Sequence, residues 1–262
     1  MMKNKNLTAI LIILFGTIIQ FTFQYFEFSS TILIWEILID LSLLSILILL
    51  IKYVYTEINL WQSILDLVKY RNYKKYFLFF NFPLIFIALN ILIGYIFAEI
   101  KIGENKNLAT NILSFFLDIP AVIFFSLSTI MVEEFIFRFL LFKNSKVIYR
   151  ILFSTTLYAI YKTVYDFNFE FQISNLLTLL NLFSVGYFSI VVFLKYKDLF
   201  LSYFFRVGLL VYLPFLINAI DDSDGTIFIT KSNLFHQNGI AISLIILFFT
   251  IFMHFKLKKE IE

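Results

Sequence analysis

The residues best suited to chemistry form a short charged cluster inside an apolar stretch. Glu133, Glu134 and Arg138 lie in the run STIMVEEFIFRFLLF, whose other residues are apolar or carry a small hydroxyl group. An ionised side chain near the centre of a membrane helix costs roughly 2.5–3.5 kcal/mol on insertion scales, so three within six positions require a reason. One reason is catalysis, because burial raises the pKa of a carboxylate toward the range in which it works as a general base.

Helical spacing gives the two glutamates different surroundings. Glu134 and Arg138 are four residues apart, so they are neighbours on one helix face in the favourable order, acid first. Glu133 is rotated by about 100° from Glu134 and needs a cavity, a second cation or a water. Glu133 is therefore the candidate for chemistry. The alternative is a structural ion network that holds helices in register, and the residues alone favour neither.

The elements that must position this cluster are apolar helices. The chain of 262 residues is 61% hydrophobic and 15% charged, whereas a soluble domain is about 25% charged. A helix needs about 20 mostly apolar residues to cross a bilayer. The sequence predicts an all-α polytopic membrane protein with about eight transmembrane helices in a single membrane domain, residues 1–262. The predicted spans are 7–26, 31–51, 77–97, 111–141, 147–165, 176–194, 199–220 and 239–255.

Basic residues between the spans predict the orientation of the chain. Lys and Arg concentrate in the cytoplasmic connections of membrane proteins, and here they concentrate in alternate connections. This pattern predicts a multi-pass membrane protein with both termini in the cytoplasm, and we expect its membrane to be the cytoplasmic membrane of a prokaryote. Residues 56–76 fit either an amphipathic surface helix or a plain loop. The predicted cytoplasmic cations are Lys3, Lys5, Lys52, Lys69, Arg71, Lys74, Lys75, Lys143, Lys146, Arg150, Lys195, Lys197, Lys256, Lys258 and Lys259.

Three blocks of the sequence carry a family resemblance. The run from Glu133 to Arg138 has the pattern EExxxR. It is followed by LFSTTLYAIYK at 152–162, and then by a block from Val185 and Gly186 through VVFLKYKDLFLSYFFRVGLL. In order, spacing and helix context these blocks resemble the CPBP family, the glutamic intramembrane endopeptidases that include CAAX prenyl protease type 2 and bacteriocin-processing enzymes. The resemblance covers about residues 105–220 and implies the helical bundle of that family.

The resemblance implies a peptidase mechanism with two altered motifs. Glu133 would activate a water for attack on a peptide bond of a prenylated or membrane-embedded substrate. The second and third family motifs are FxxxH and HxxxN, whose His and Asn orient the water and stabilise the oxyanion. Here Tyr158 and Lys162 take the Phe and His positions, and Arg206 and Leu210 take the His and Asn positions.

Cations at both histidine positions leave the activity open. If Lys162 and Arg206 point at Glu133, they favour its ionised form and occupy its lone pairs, which makes it a poorer base. The same cations can also stabilise an oxyanion in a low-dielectric pocket. The alternatives are therefore an endopeptidase and a catalytically inactive family member that binds a peptide, a lipid or a partner membrane protein. In both, the site residues are Glu133, Glu134, Arg138, Lys162 and Arg206.

Other functions have less support in the sequence. The chain has no Cys, no HExxH pattern and only two histidines, His236 and His254, so neither a metal site nor a cofactor is expected. The basic residues form no stripe, which argues against nucleic acid. A transporter remains a third alternative, because buried charges also mark ion pathways, although no inverted repeat supports it.

Acids elsewhere in the apolar segments are expected to be structural. Glu36 and Asp40, one turn apart in the second span, are expected to pair with Arg206 or Arg138. Asp118 precedes Pro120 and is expected to cap or bend its helix. The acidic turn before Gly225 lacks the Glu of a calcium loop and is expected to be solvated; its acids are Asp221, Asp222 and Asp224.

Overall fold

The protein is built almost entirely from helices, which confirms the all-α prediction. The computed structural model describes residues 2–25, 32–57, 72–102, 129–141, 145–165, 173–219, 228–230 and 240–261, with the single positions 59, 62, 119, 120, 123 and 126. Within these residues the α-helices are α1 (Met2–Tyr25), α2 (Ile32–Tyr53), α3 (Tyr73–Asn81), α4 (Pro83–Ile96), α5 (Val147–Tyr165), α6 (Ile173–Tyr196), α7 (Leu199–Leu216) and α8 (Ile240–Ile261).

Some predictions concern residues outside the described part of the chain. They include the central part of the segment 56–76 and most of 111–128. They also include His236 and the side chains of these acids: Glu36, Asp40, Asp118, Asp221, Asp222 and Asp224.

The predicted span 77–97 corresponds to two helices that meet at a proline. Pro83 is the first residue of α4, where its missing N–H costs nothing, and it prevents an unbroken helix through α3. Gly208 of α7 lies against this junction. A Cβ atom at Gly208 would lie 2.1 Å from the carbonyl oxygen of Phe80, so only glycine allows α7 to approach the end of α3 so closely.

Two apolar cores share α6. The first core packs α1, α2 and α5 against the segment 135–141, with Phe137 and Tyr158 near its centre. The second packs α3, α4, α7 and α8 together, with Phe86 and Phe205 completely buried. Helix α6 contributes to both, because residues such as Ile190 point into the first core while others point into the second.

Three short strands join the ends of helices, a feature that the sequence did not predict. Strands β1 (Ile100–Ile102), β2 (Ile217–Ala219) and β3 (Phe228–Thr230) form one sheet in the order β1-β3-β2. Strand β3 is antiparallel to β1 and parallel to β2. Because β1 lies close after α4 and β2 directly follows α7, the sheet ties these two helix ends together.

The exterior carries many large apolar side chains. Phe77, Phe97 and Phe248 are 73%, 68% and 77% exposed, and residues of this kind occur on most of the helices. Among the described residues, Tyr73–Ile96 and Leu176–Tyr196 are long and apolar enough to cross a membrane. Apolar surface of this extent is uncommon on soluble monomers and marks a contact with lipid or protein.

Candidate functional site: a buried cluster of five charges

The structure brings the five site residues together from three parts of the chain. Glu133 and Glu134 end the helical stretch 129–134, and Arg138 follows in a π-helix, Phe135–Leu140. Lys162 lies on α5 and Arg206 on α7. Arg206 thus lies on an element of the second core, whereas Arg138 and Lys162 lie on elements of the first. The ionic cluster connects the two cores.

Both carboxylate oxygens of Glu133 are engaged by cations. Its Oε1 lies 2.9 Å from Lys162 Nζ, and its Oε2 accepts a hydrogen bond of 2.5 Å from Arg206 Nη2. The Glu133 side chain has no exposed surface. The sequence required a second cation, a cavity or a water for Glu133, and the structure provides two cations.

Arg206, not Arg138, is the closer partner of Glu134. Arg206 Nη1 donates a 2.9 Å hydrogen bond to Glu134 Oε1, while Arg138 Nε lies 3.5 Å from Glu134 Oε2. The predicted pairing of Glu134 with Arg138 is therefore present but longer than a good hydrogen bond. Because Arg206 uses a different nitrogen for each glutamate, its planar guanidinium holds the two carboxylates together.

The π-helix explains the long distance between Glu134 and Arg138. Its hydrogen bonds run from residue i to i+5, as Leu141 N to Ile136 O at 2.9 Å shows. The turn is wider than that of an α-helix, so residues four apart no longer lie directly one above the other. The sequence predicts α-helical spacing here, and that prediction is wrong for the turn after Glu134.

Helix α5 supplies the partners for carbonyls of the π-helix. Arg150 Nη2 donates to the carbonyl oxygens of Arg138 at 2.6 Å and of Phe139 at 3.1 Å. The Ser154 hydroxyl donates to the carbonyl oxygen of Phe137. From the sequence, Arg150 is predicted only to be a cytoplasmic cation, not a partner of the π-helix. A cation four residues into the next helix was the only signal, and it is not specific for a cap.

An aromatic ring separates the cations from the first core. The guanidinium carbons of Arg138 and Arg206 lie 4.5 Å and 4.9 Å from the centre of the Tyr158 ring, within the range of cation–π attraction. Gly186 of α6 makes room for this ring, because a Cβ atom there would lie 2.7 Å from Tyr158 Cδ1 and 3.5 Å from Arg138 Nη2. Tyr158 and Gly186 are therefore part of the site.

Hydrogen-bonding capacity remains around Arg138. Its Nη1 and Nη2 atoms are buried and have no hydrogen-bond partner among the described residues. The same holds for the hydroxyls of Thr155 and Ser189. Buried polar groups usually find partners, so fewer hydrogen bonds are satisfied on the Arg138 side of the cluster than on the Glu133 side.

Two further residues named from the sequence do not complete a peptidase site. Leu210, at the Asn position of the third motif, is 53% exposed. The Nδ1 atom of His254 lies 2.6 Å from the Tyr187 hydroxyl, in a separate contact between α8 and α6. Within the described residues, no three His, Asp or Glu side chains are placed to hold a metal ion.

The five charged side chains of the site contact one another. Two glutamates, two arginines and a lysine form a closed ionic network, and of these the Lys162 side chain, at 21%, is the most exposed. Comparisons with known proteins find no matching family model, no matching curated protein and no matching solved structure.

Proposed function

We propose that the chain is a multi-pass protein of a prokaryotic cytoplasmic membrane, with about eight transmembrane helices and both ends inside. Two segments of sufficient length, Tyr73–Ile96 and Leu176–Tyr196, and the exposed Leu and Phe side chains support this. The alternation of basic connections supports the orientation. The order and helix context of the three motif blocks support membership of the CPBP family.

Within that framework, we propose that the protein is a catalytically inactive member that acts by binding a membrane-embedded peptide, a lipid or a partner membrane protein. The observation that carries the proposal is the state of Glu133, whose two oxygens each face a cation at 2.9 Å or less in a fully buried position. A general base needs a lone pair directed at the water that it deprotonates. Lys162 and Arg206 each occupy one such direction on a different oxygen, and two cations in direct contact make the carboxylate a poorer proton acceptor.

The same contacts give Glu133 a structural role. Removing one partner of a buried ion pair typically destabilises a protein by about 3–5 kcal/mol, because the remaining charge is left buried and uncompensated. Glu133→Gln is therefore expected to lower the unfolding temperature. Loss of a cellular phenotype in this variant is not, by itself, evidence of catalysis.

Peptide cleavage by the purified protein separates the two functions. We expect no cleavage of prenylated or unprenylated membrane peptides by the wild type, and the same background with Glu133→Gln. The matched control is Asn81→Ala, which removes the 2.7 Å hydrogen bond from the Tyr212 hydroxyl and weakens the fold away from the cluster. Cleavage by the wild type and by Asn81→Ala that Glu133→Gln abolishes would overturn the proposal.

A second candidate is a glutamic endopeptidase acting on a prenylated or membrane-embedded peptide. The exposure of Lys162 favours it, because this residue connects the surface with Glu133 Oε1. In that mechanism Glu133 would activate the water, and Lys162 or Arg206 would stabilise the oxyanion. The same assay tests this candidate, which requires activity in the wild type and its loss on Glu133→Gln.

A further inference from the structure

An apolar groove lies between α3 and α7, apart from the charged cluster. It has a volume of about 430 Å³, within the range of pockets that bind small ligands. Its walls are Tyr73, Phe77 and Phe80 of α3, Phe200 and Phe204 of α7, and Ile123. The walls offer almost no polar atoms, so the part of a ligand that enters must be apolar.

The floor of the groove is fixed, whereas its mouth is open. Tyr76 is buried at the base, and its ring centre lies 5.4 Å from that of Phe204 and 5.7 Å from that of Phe200. Ile123 is held by a 2.9 Å hydrogen bond from the Tyr203 hydroxyl to its carbonyl oxygen. By contrast, Tyr73 at the mouth is 68% exposed. A ligand can enter without rearranging the helices.

An exposed lysine on α3, Lys74, directly follows the wall residue Tyr73. Lys74 is exposed and lies one helical turn from Phe77, on the same stripe of α3. Among the described residues, no carboxylate pairs with Lys74. Its neighbour Lys75 is placed differently, since its Nζ lies 5.6 Å from the centre of the Tyr196 ring and its charge acts on Asp198. Within the described part of the chain, Lys74 is therefore the cation that we assign to a ligand in the groove.

We propose that this groove binds one acyl chain of an anionic phospholipid, with the lipid phosphate on Lys74. The proposal rests on the membrane location proposed above, in which the start of α3 lies at the cytoplasmic leaflet. Anionic lipids are concentrated in that leaflet, and a single Lys at the surface favours them by a factor of about five. The apolar walls and the adjacent cation match the two parts of such a lipid.

Native mass spectrometry of the full chain in detergent tests the headgroup contact. The probe is an equimolar mixture of phosphatidylglycerol and phosphatidylcholine with identical acyl chains. We expect about a fivefold excess of retained phosphatidylglycerol in the wild type, and equal retention of the two lipids with Lys74→Gln. The matched control is Lys146→Gln, which removes an exposed lysine next to α5, a helix that contributes no wall residue to the groove. Equal retention by the wild type, or an unchanged excess in Lys74→Gln, would overturn the proposal.

A second pair of variants tests the acyl chain. Ile123→Trp places a large ring in the groove and is expected to lower the retained number of both lipids by one. Leu41→Trp is the control, since Leu41 is 53% exposed and lines a separate apolar groove between α1 and α2. Equal lipid retention in the two Trp variants would contradict the proposed site.

Extraction with alkaline carbonate separates this proposal from the membrane location on which it rests. Release of the wild-type chain from membranes would overturn both. Retention in the membrane without preferential phosphatidylglycerol binding would overturn the lipid site alone. Because Lys74→Gln is a surface substitution, its result does not depend on repacking the fold.

Discussion

At the scale of single residues, Arg206 has the most demanding role. It pairs with Glu133 at 2.5 Å and with Glu134 at 2.9 Å through different nitrogens of one planar group. A lysine carries the same charge on a single nitrogen and cannot reproduce this geometry. The identity of the residue as Arg therefore matters as much as its charge.

We expect Arg206→Lys to lower the free energy of unfolding by about 1–3 kcal/mol, as for a lost hydrogen bond to a buried charged group. Arg206→Gln should cost about 3–5 kcal/mol, because it leaves both glutamates short of a cation. Denaturant titration in detergent measures the order. Equal stability of Arg206→Lys and the wild type would mean that the paired contacts contribute nothing.

Gly186 offers a test of the packing around the cluster. A methyl group at this position would lie 2.7 Å from Tyr158 Cδ1, so Gly186→Ala should cost about 1–3 kcal/mol through overpacking. Because the clash is with a side chain, Tyr158→Leu should recover part of the loss in a double-mutant cycle. Gly208→Ala is the contrasting control. Its clash is with the backbone oxygen of Phe80, so Tyr158→Leu should not rescue it.

The sequence identified the residues of the site but not all of their pairings. Glu133, Glu134 and Arg138 stand out because ionised groups are costly in an apolar segment, and the motif resemblance added Lys162 and Arg206. The preference of Glu134 for Arg206 depends on the π-helix, which leaves no periodic signal in a run as apolar as FIFRFL. Tyr158 was noticed as a motif position, but its contact with two guanidinium groups depends on tertiary packing.

At the scale of secondary structure elements, the turn between α6 and α7 contains a half-buried acid. Asp198 immediately precedes α7, and its Oδ1 accepts a 2.9 Å hydrogen bond from the backbone nitrogen of Phe200, as an N-cap residue does. Burial nevertheless raises the pKa of Asp198 above its usual value, and this effect outweighs the hydrogen bonds that lower it. The ionised form of this N-cap residue is therefore less favourable in the folded protein than in the unfolded chain.

The sign of the pH effect follows from the raised pKa. The protonated form of Asp198 is favoured in the folded state, so its contribution to stability is fully present below the unfolded value of about 3.9 and is lost as pH rises through the folded pKa. We expect the wild type to lose stability relative to Asp198→Asn, which keeps an N-cap without the charge, as pH rises from about 4 to 7. Thermal unfolding at several pH values measures the difference, and a constant difference would contradict the assignment.

Asp198→Ala is the control for the cap itself. It removes both the charge and the acceptor, so it should cost about 1 kcal/mol relative to Asp198→Asn at every pH.

The other element-scale features differ in how well the sequence predicted them. Pro83 marks the break between α3 and α4, yet the span was predicted as continuous because its apolar residues run across the proline. The strands have three residues each, too short for an alternating pattern.

At the scale of the whole molecule, the charged cluster lies where two apolar cores meet. The π-helix and α5 belong to the first core and α7 to the second, and Arg206 connects them through Glu133 and Glu134. Apolar packing alone allows helices to slide, whereas a hydrogen-bonded ion network has one satisfied arrangement. This placement agrees with the proposed non-catalytic role, because a cluster that joins two cores must keep its cations in place.

The chain contains no cysteine, so the proposed topology can be tested by labelling single introduced cysteines. Each introduced cysteine is then the only target for a thiol reagent. Lys146, before α5, is assigned to the cytoplasmic side, and Glu99, between α4 and β1, to the opposite side. We expect a membrane-impermeant maleimide to label Glu99→Cys but not Lys146→Cys in intact cells, and both after permeabilisation. Lys197→Cys, in the turn before α7, should behave like Lys146→Cys, since three predicted spans, 111–141, 147–165 and 176–194, separate Glu99 from that turn. Labelling of Lys197→Cys in intact cells would show that at least one of these segments does not cross the membrane, and labelling of Lys146→Cys would show that 111–141 does not.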